Sequence, residues 1–180
     1  DNRVGVALAA AASEELRDGS HPGTVFCGAS VQEEVGGRGA HTSAALLEPD
    51  VAIVLEGTPA DDAPKAAADA CQGALGGGVQ IRLLDPSAIM NRPLTDLVRR
   101  VAKREGIAHQ MAVRRSGGTD AARLHVHSTG VPTAVLGVPV RNPHTANCLL
   151  DVNDAMAALR LTVAVVRELD EETVAAMTRF

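Results

Sequence analysis

Thr24-Val25-Phe26-Cys27-Gly28-Ala29-Ser30-Val31-Gln32-Glu33-Glu34-Val35-Gly36-Gly37-Arg38-Gly39 is the stretch on which the reading of this chain turns. Thr24 to Val31 is rich in β-formers and reads as a buried strand. It closes on two adjacent carboxylates. Neighbouring side chains of a strand point to opposite faces, so at its end one glutamate can face a metal while the other is left for proton transfer. A lone Glu-Glu pair is more often a solvated turn, and the rest of the chain decides between the two readings.

Working outward, apolar positions alternate between helical and strand periods. Val4, Leu8, Ala12 and Leu16 recur at helical spacing, with Gly19 as the stop. Gly39 to Leu47 reads helical, and Asp50 to Leu55 reads as a short buried strand ending at Glu56. Thr58 to Gly78, rich in Ala, Asp, Pro and Gly, reads mostly as loop. Val79 to Leu84 is the next strand. Pro93 suits a first helical residue, with Leu94, Leu97, Val98 and Val101 on one face and Gly106 past the end. His109 to Arg114 reads as a strand, Gly118 to Ser128 as helix, Pro132 to Val138 as a strand. Asp151 to Leu169 reads as a long helix with Met156, Leu159, Val163 and Val166 on its buried stripe. The expected architecture is α/β: three layers, α/β/α, around a mixed central sheet. Glu33, Glu34, Glu56 and His144 then fall at or just beyond strand ends, where open α/β sheets place their sites.

Composition narrows the function. At 180 residues the chain is one domain by length, with 46% hydrophobic residues to fill a core. Two Phe and no Trp or Tyr leave no stacking platform for single-stranded nucleic acid. The net charge of −5 disfavours a phosphate backbone as partner. The longest apolar stretch, Val4 to Ala12, is far shorter than the roughly 20 residues that span a bilayer, so no membrane segment is expected. Cys27, Cys71 and Cys148 are odd in number and widely spread, which points to no disulfide framework and a reducing, cytoplasmic setting. Gly76-Gly77-Gly78 lacks the Lys-Ser/Thr of a phosphate loop and reads as a turn. His125 and His127, two apart, would face different sides of a helix, and His21, His41 and His109 read as surface or edge residues.

Four further segments accompany the paired glutamates: Asp1-Asn2-Arg3, Leu55-Glu56-Gly57-Thr58, Gly117-Gly118-Thr119-Asp120-Ala121 and Pro139-Val140-Arg141-Asn142-Pro143-His144. In this order, and through nearly the whole chain, they resemble the glutamyl aminopeptidase family of two-metal aminopeptidases, which includes large tetrahedral assemblies. The resemblance implies that Asp1 bridges both metals, Glu34 and Glu56 each bind one, His144 completes the set, and Glu33 is the general base. Asn142 stands where the family often has an aromatic residue. Family members also carry a metal-binding His upstream of the bridging Asp and an inserted domain used in dimer and higher assembly. Neither is in this sequence, so the expectation is a single domain over 1–180 that corresponds to the later portion of such a catalytic domain.

The resemblance implies hydrolysis of N-terminal residues from peptides, two divalent ions as cofactors, and homo-oligomers in the full-length family. Oxygen and imidazole donors without a thiolate suit Zn²⁺, Co²⁺ or Mn²⁺. Asp120 is expected as a first-turn acid of its helix that suits the dipole, near the substrate pocket by the resemblance. Two alternatives remain open. One is a related two-metal carboxypeptidase or deacylase, since paired glutamates serve there too; the other is a non-catalytic fragment that folds and acts as an assembly partner.

Overall fold

The computed structural model describes residues 2–62 and 71–178. Asn2 caps the first helix, α1 (Arg3–Glu15), by accepting from Gly5 N–H at 2.5 Å. Leu8 and Ala12 of its expected stripe are buried, and Gly19, at φ 72°, turns the chain away from it. The second helix, α2 (Arg38–Leu47), has the expected extent. Asn91 caps α3 (Arg92–Arg104), whose Leu94, Leu97, Val98 and Val101 are buried. Two short helices, α4 (Ala121–Leu124) and α6 (Glu171–Ala176), flank the long α5 (Val152–Val166).

The strands are β1 (Ala52–Pro59), β2 (Val79–Asp85), β3 (Ala88–Ile89), β4 (His109–Val113), β5 (Thr133–Arg141) and β6 (Leu149–Leu150). They form one mixed sheet in the order β1-β5-β2-β3, with β4 also on β2 and β6 also on β5. β1 runs parallel to β5, and β2 runs antiparallel to β5 and parallel to β4. Helices α1, α3 and α5 pack over one face with the larger core, built on Ile81, Leu136, Leu161 and Val165. On the other face Ala121 of α4 meets Val54 and Val135 in a smaller core. This is the expected three-layer α/β/α arrangement.

Four local expectations are corrected. Thr24 to Val31 forms no strand: it joins no ladder among the described residues, and Phe26 and Val31 are exposed. β-propensity describes a side chain's fit to a pleated, half-buried surface and cannot supply the neighbour that makes a strand. β1 continues three residues past Glu56, because Thr58 and Pro59 remain in register with Pro139 and Val140 of β5. The helix expected from Gly118 shrinks to the four residues of α4. Met156 is exposed, while Leu159 and Val163 of the expected stripe are buried together with Ala157, Ala158, Leu161 and Val165.

Gly76 and Gly78 turn the chain into β2 at φ 76° and 89°. Their N–H groups donate to the buried Asp154 of α5 at 2.8 and 2.7 Å, so the glycine run is a turn tied to a helix. At Gly137, opposite Glu56 and Gln80 in the sheet, an added Cβ would lie 2.2 Å from Thr58 Oγ1. Gly137→Ala is therefore expected to lower stability by about 1–3 kcal/mol through overpacking, read as a lower urea midpoint at unchanged slope.

Candidate functional site

Glu33 and Glu34 open a single 3₁₀ turn (Glu33–Val35) in place of the expected strand end. The turn is tight because Gly36 and Gly37, at φ 107° and 61°, adopt left-handed conformations that glycine accepts without strain. Gly36 and Gly37 N–H both donate to Glu33 C=O, at 3.1 and 2.9 Å, and Gly39 N–H donates to Val31 C=O at 2.9 Å. The pair is thereby held on a closed loop.

Glu34 and His144 meet. The chain leaves β5 through Asn142 and His144, both at positive φ, and places His144 Nε2 at 3.3 Å from Glu34 Oε1. A carboxylate and an imidazole so placed are two donors that suit one divalent ion. Glu33 lies close enough to Glu34, His144 and Asp120 to feel their charges. Its carboxyl is raised above the ordinary glutamate value, first by burial and then by Asp120, with Glu34 adding to this and His144 opposing it.

Glu56 stands on β1 with its side chain on the same sheet face as Val54 and Thr58, by strand alternation. It is 8% exposed, unusually low for a glutamate. Its Oε1 accepts from Gly57 N–H at 2.9 Å and from Asn2 Nδ2. Asn2 also donates to Leu55 C=O, so the cap of α1 fixes the strand residue beside it. Burial pushes the Glu56 carboxyl up to about 7, against the pull of those hydrogen bonds and of Arg82, while Glu33 raises it further.

That raised value predicts a pH dependence. A carboxyl whose folded value exceeds its unfolded one, about 4.3, holds its proton more tightly when folded. Its stabilisation is complete below about pH 4.3 and is lost as pH rises through about 7. The metal-free chain is expected to lose about 3 kcal/mol from this group between pH 4 and pH 8. Thermal melts at the two pH values should show the loss in the wild type and not in Glu56→Gln; an equal loss in both would refute the assignment.

Asp1 lies outside the described residues. Among those that are described, Glu34 meets His144, Glu33 feels the charges of both, and Glu56 feels that of Glu33. Among the described residues, no three His, Cys, Asp or Glu side chains converge closely enough to hold an ion as they stand. Asp120 stands at the N-cap position of α4, just ahead of the first turn where it was expected, and makes no side-chain cap bond: Ser30 Oγ donates to its Oδ2, and its buried Oδ1 has no hydrogen-bond partner among the described residues. Arg123 Nε donates to Gly36 C=O at 2.7 Å. Sequence reading passed over Asn2, Ser30 and Arg123. Only Asn2 carried a local signal, as an Asn just ahead of an apolar-periodic helix.

Residues 1–161 match the M42 glutamyl aminopeptidase family. The chain is 32% identical over 180 residues to the glutamyl aminopeptidase of Lactococcus lactis, covering all of this chain and 49% of that protein. A TET aminopeptidase from the marine sediment archaeon Thaumarchaeota archaeon SCGC AB-539-E09 superimposes with a TM-score of 0.94 at 39% identity, over 99% of this chain and 50% of that one. The TET1 peptidase of Pyrococcus horikoshii, which can assemble into a tetrahedron or a large octahedral shell, superimposes with a TM-score of 0.79 at 32% identity, over 94% and 48%. The chain spans about half the length of the curated relatives it matches.

Proposed function

The chain belongs to the M42 glutamyl aminopeptidase family, and from that premise we propose that it is the later part of the catalytic domain of a metal-dependent aminopeptidase that removes N-terminal residues from peptides. The observation that carries the reading is the contact between Glu34 and His144, two metal-type donors from distant parts of the sequence, beside a partly buried Glu33. Glu34 and His144 would hold one divalent ion and Glu56 a second, with Asp1 between them. Zn²⁺, Co²⁺ and Mn²⁺ all suit these donors. Two such ions, when bound, acidify a water and polarise the scissile carbonyl. Glu33, left unmetallated, takes the proton of the attacking water on its carboxylate and passes it to the departing amine.

Peptides are the proposed substrates, and assembly into homo-oligomers is proposed for the full-length protein by likeness to the P. horikoshii TET1 peptidase. Free, exposed Cys27, Cys71 and Cys148 support a cytoplasmic setting. No helix of the described residues is long and apolar enough to cross a membrane.

Calorimetric titration of the metal-stripped chain with Zn²⁺ and Co²⁺ tests the reading. At least one tight equivalent is expected, and His144→Ala is expected to weaken it about 10-fold or more. Unchanged binding in that variant would remove His144 from the site. A substrate panel separates the related reactions: release of free N-terminal residues supports an aminopeptidase, while turnover only of blocked amines or C-terminal residues points to a deacylase or carboxypeptidase. A non-catalytic reading draws on the half-length match. Tight metal binding without turnover of any peptide would favour it.

A further inference from the structure

We propose that Asp120 and Arg123 are positioning residues that clamp the Glu33–Glu34 turn onto the sheet and so set its place relative to Glu56. The proposal rests on the reading of these glutamates as site carboxylates. It starts from a mechanical gap: the segment that leads into the turn, Thr24 to Val31, makes no ladder with the sheet. The register of neighbouring strands therefore cannot fix Glu33 and Glu34 against Glu56, which sits within β1. Something else must hold them.

α4 provides the link. Ala121 is fully buried against Val54 of β1 and Val135 of β5, and Thr119, also buried, accepts from Ala121 N–H at 3.2 Å. From this anchored base, two side chains reach the turn. Arg123 Nε donates to Gly36 C=O at 2.7 Å, and Asp120 Oδ2 accepts from Ser30 Oγ, just ahead of the turn. The loop is pressed against both residues. A Cβ on Gly37 would lie 3.0 Å from Arg123 Cγ and 3.2 Å from Asp120 Oδ1. The chain Val54–Ala121–Arg123–Gly36 is thus a continuous contact path from the strand that carries Glu56 to the loop that carries the paired glutamates.

The test compares the wild type with Arg123→Ala, Arg123→Lys and Ser30→Ala in two measurements. The first, amide hydrogen exchange of the metal-free chain, does not depend on metal or activity. Arg123→Ala is expected to speed exchange at Gly36, Gly37 and Gly39 about 10-fold or more while β1 and β5 stay as protected as in the wild type, and Arg123→Lys is expected to restore most of the protection. Unchanged exchange at the three glycines, or an equal rise throughout the sheet, would overturn the clamp. If Arg123→Ala does not fold, Ser30→Ala carries the same expectation. The second measurement is the visible spectrum during Co²⁺ titration. A shifted spectrum and weaker uptake in Arg123→Ala, reversed by Lys, support positioning of Glu34; an identical spectrum and affinity would overturn it. A wild type that takes up no Co²⁺ would count against the metal reading alone, and the exchange result would still decide the clamp.

Discussion

Glu33→Gln is expected to cut peptide turnover by about 10²–10⁴-fold while leaving divalent-ion affinity near the wild-type value, because an amide keeps the side chain's size and loses its ability to take a proton. The split between the two readouts is the informative part. Glu34 Oε1 lies 3.3 Å from His144 Nε2, and a change at Glu33 should leave that donor pair in place. The raised Glu33 carboxyl adds a pH signature. Burial is the leading cause, with the negative charge of Asp120 next, and a base must be ionised to accept a proton. In the metal-free chain the Glu33 proton is therefore expected to leave above the ordinary glutamate range, and the acid limb of kcat/KM that Glu33 causes in the loaded enzyme should vanish from the residual activity of Glu33→Gln. Turnover in that variant within about threefold of wild type would move the base to another residue.

The helices and central strands were legible because their apolar positions repeat at the period of the element that buries them. α3 is the clearest case, with Leu94, Leu97, Val98 and Val101 all at or near zero exposure. α5 was legible in extent and in part of its buried stripe. Leu159 and Val163 are buried as expected and Met156 is exposed, while Ala157, Ala158, Leu161 and Val165 widen the buried face beyond the stripe that the pattern showed. β3 and β6, two residues each, are too short to show any period. Thr24 to Val31 was misread for a different reason, since a strand is a property of a pair and its composition said nothing of a partner.

At the candidate site, the residue types were readable and their linkage was not. A paired glutamate beside glycines, a glutamate after an apolar run and a histidine after a strand are visible in one dimension. The Ser30–Asp120 and Arg123–Gly36 hydrogen bonds join segments roughly half the chain apart, and neither Ser30 nor Arg123 is unusual among its neighbours. The structure also moved Glu56 from the end of β1 into its interior, where burial accounts for its raised carboxyl. What orients these polar residues lay in tertiary contacts.

Asp85→Ala is expected to cost about 3–5 kcal/mol of stability, the range for removing one partner of a buried ion pair. Asp85 lies on the hairpin between β2 and β3, and its side chain is fully buried with that of Arg82, at 2.9 Å. It also accepts from Ser87 N–H, Ser87 Oγ and Ala88 N–H, at 2.8, 2.6 and 3.1 Å. The Ala variant would strip three donors and leave the Arg82 guanidinium with Thr58 Oγ1, 3.1 Å away, while Arg82 Nε already has no partner among the described residues. Whole domains are stable by only about 5–15 kcal/mol, so this one change would take much of the total. Replacing both charges, as Arg82→Met with Asp85→Leu, should recover most of the loss, because no buried charge is then left unpaired. Acid offers an independent check. Burial raises the Asp85 carboxyl, but the Ser87 hydrogen bonds and Arg82 outweigh it and hold it below the ordinary aspartate value. Its stabilisation is therefore present above about pH 4 and lost as pH falls through the lower folded value, a loss that Asp85→Ala should not show. Urea unfolding at pH 7 and pH 3 measures both effects, and a loss at pH 7 below about 1 kcal/mol would mean that water or rearranged side chains satisfy Arg82 without its partner.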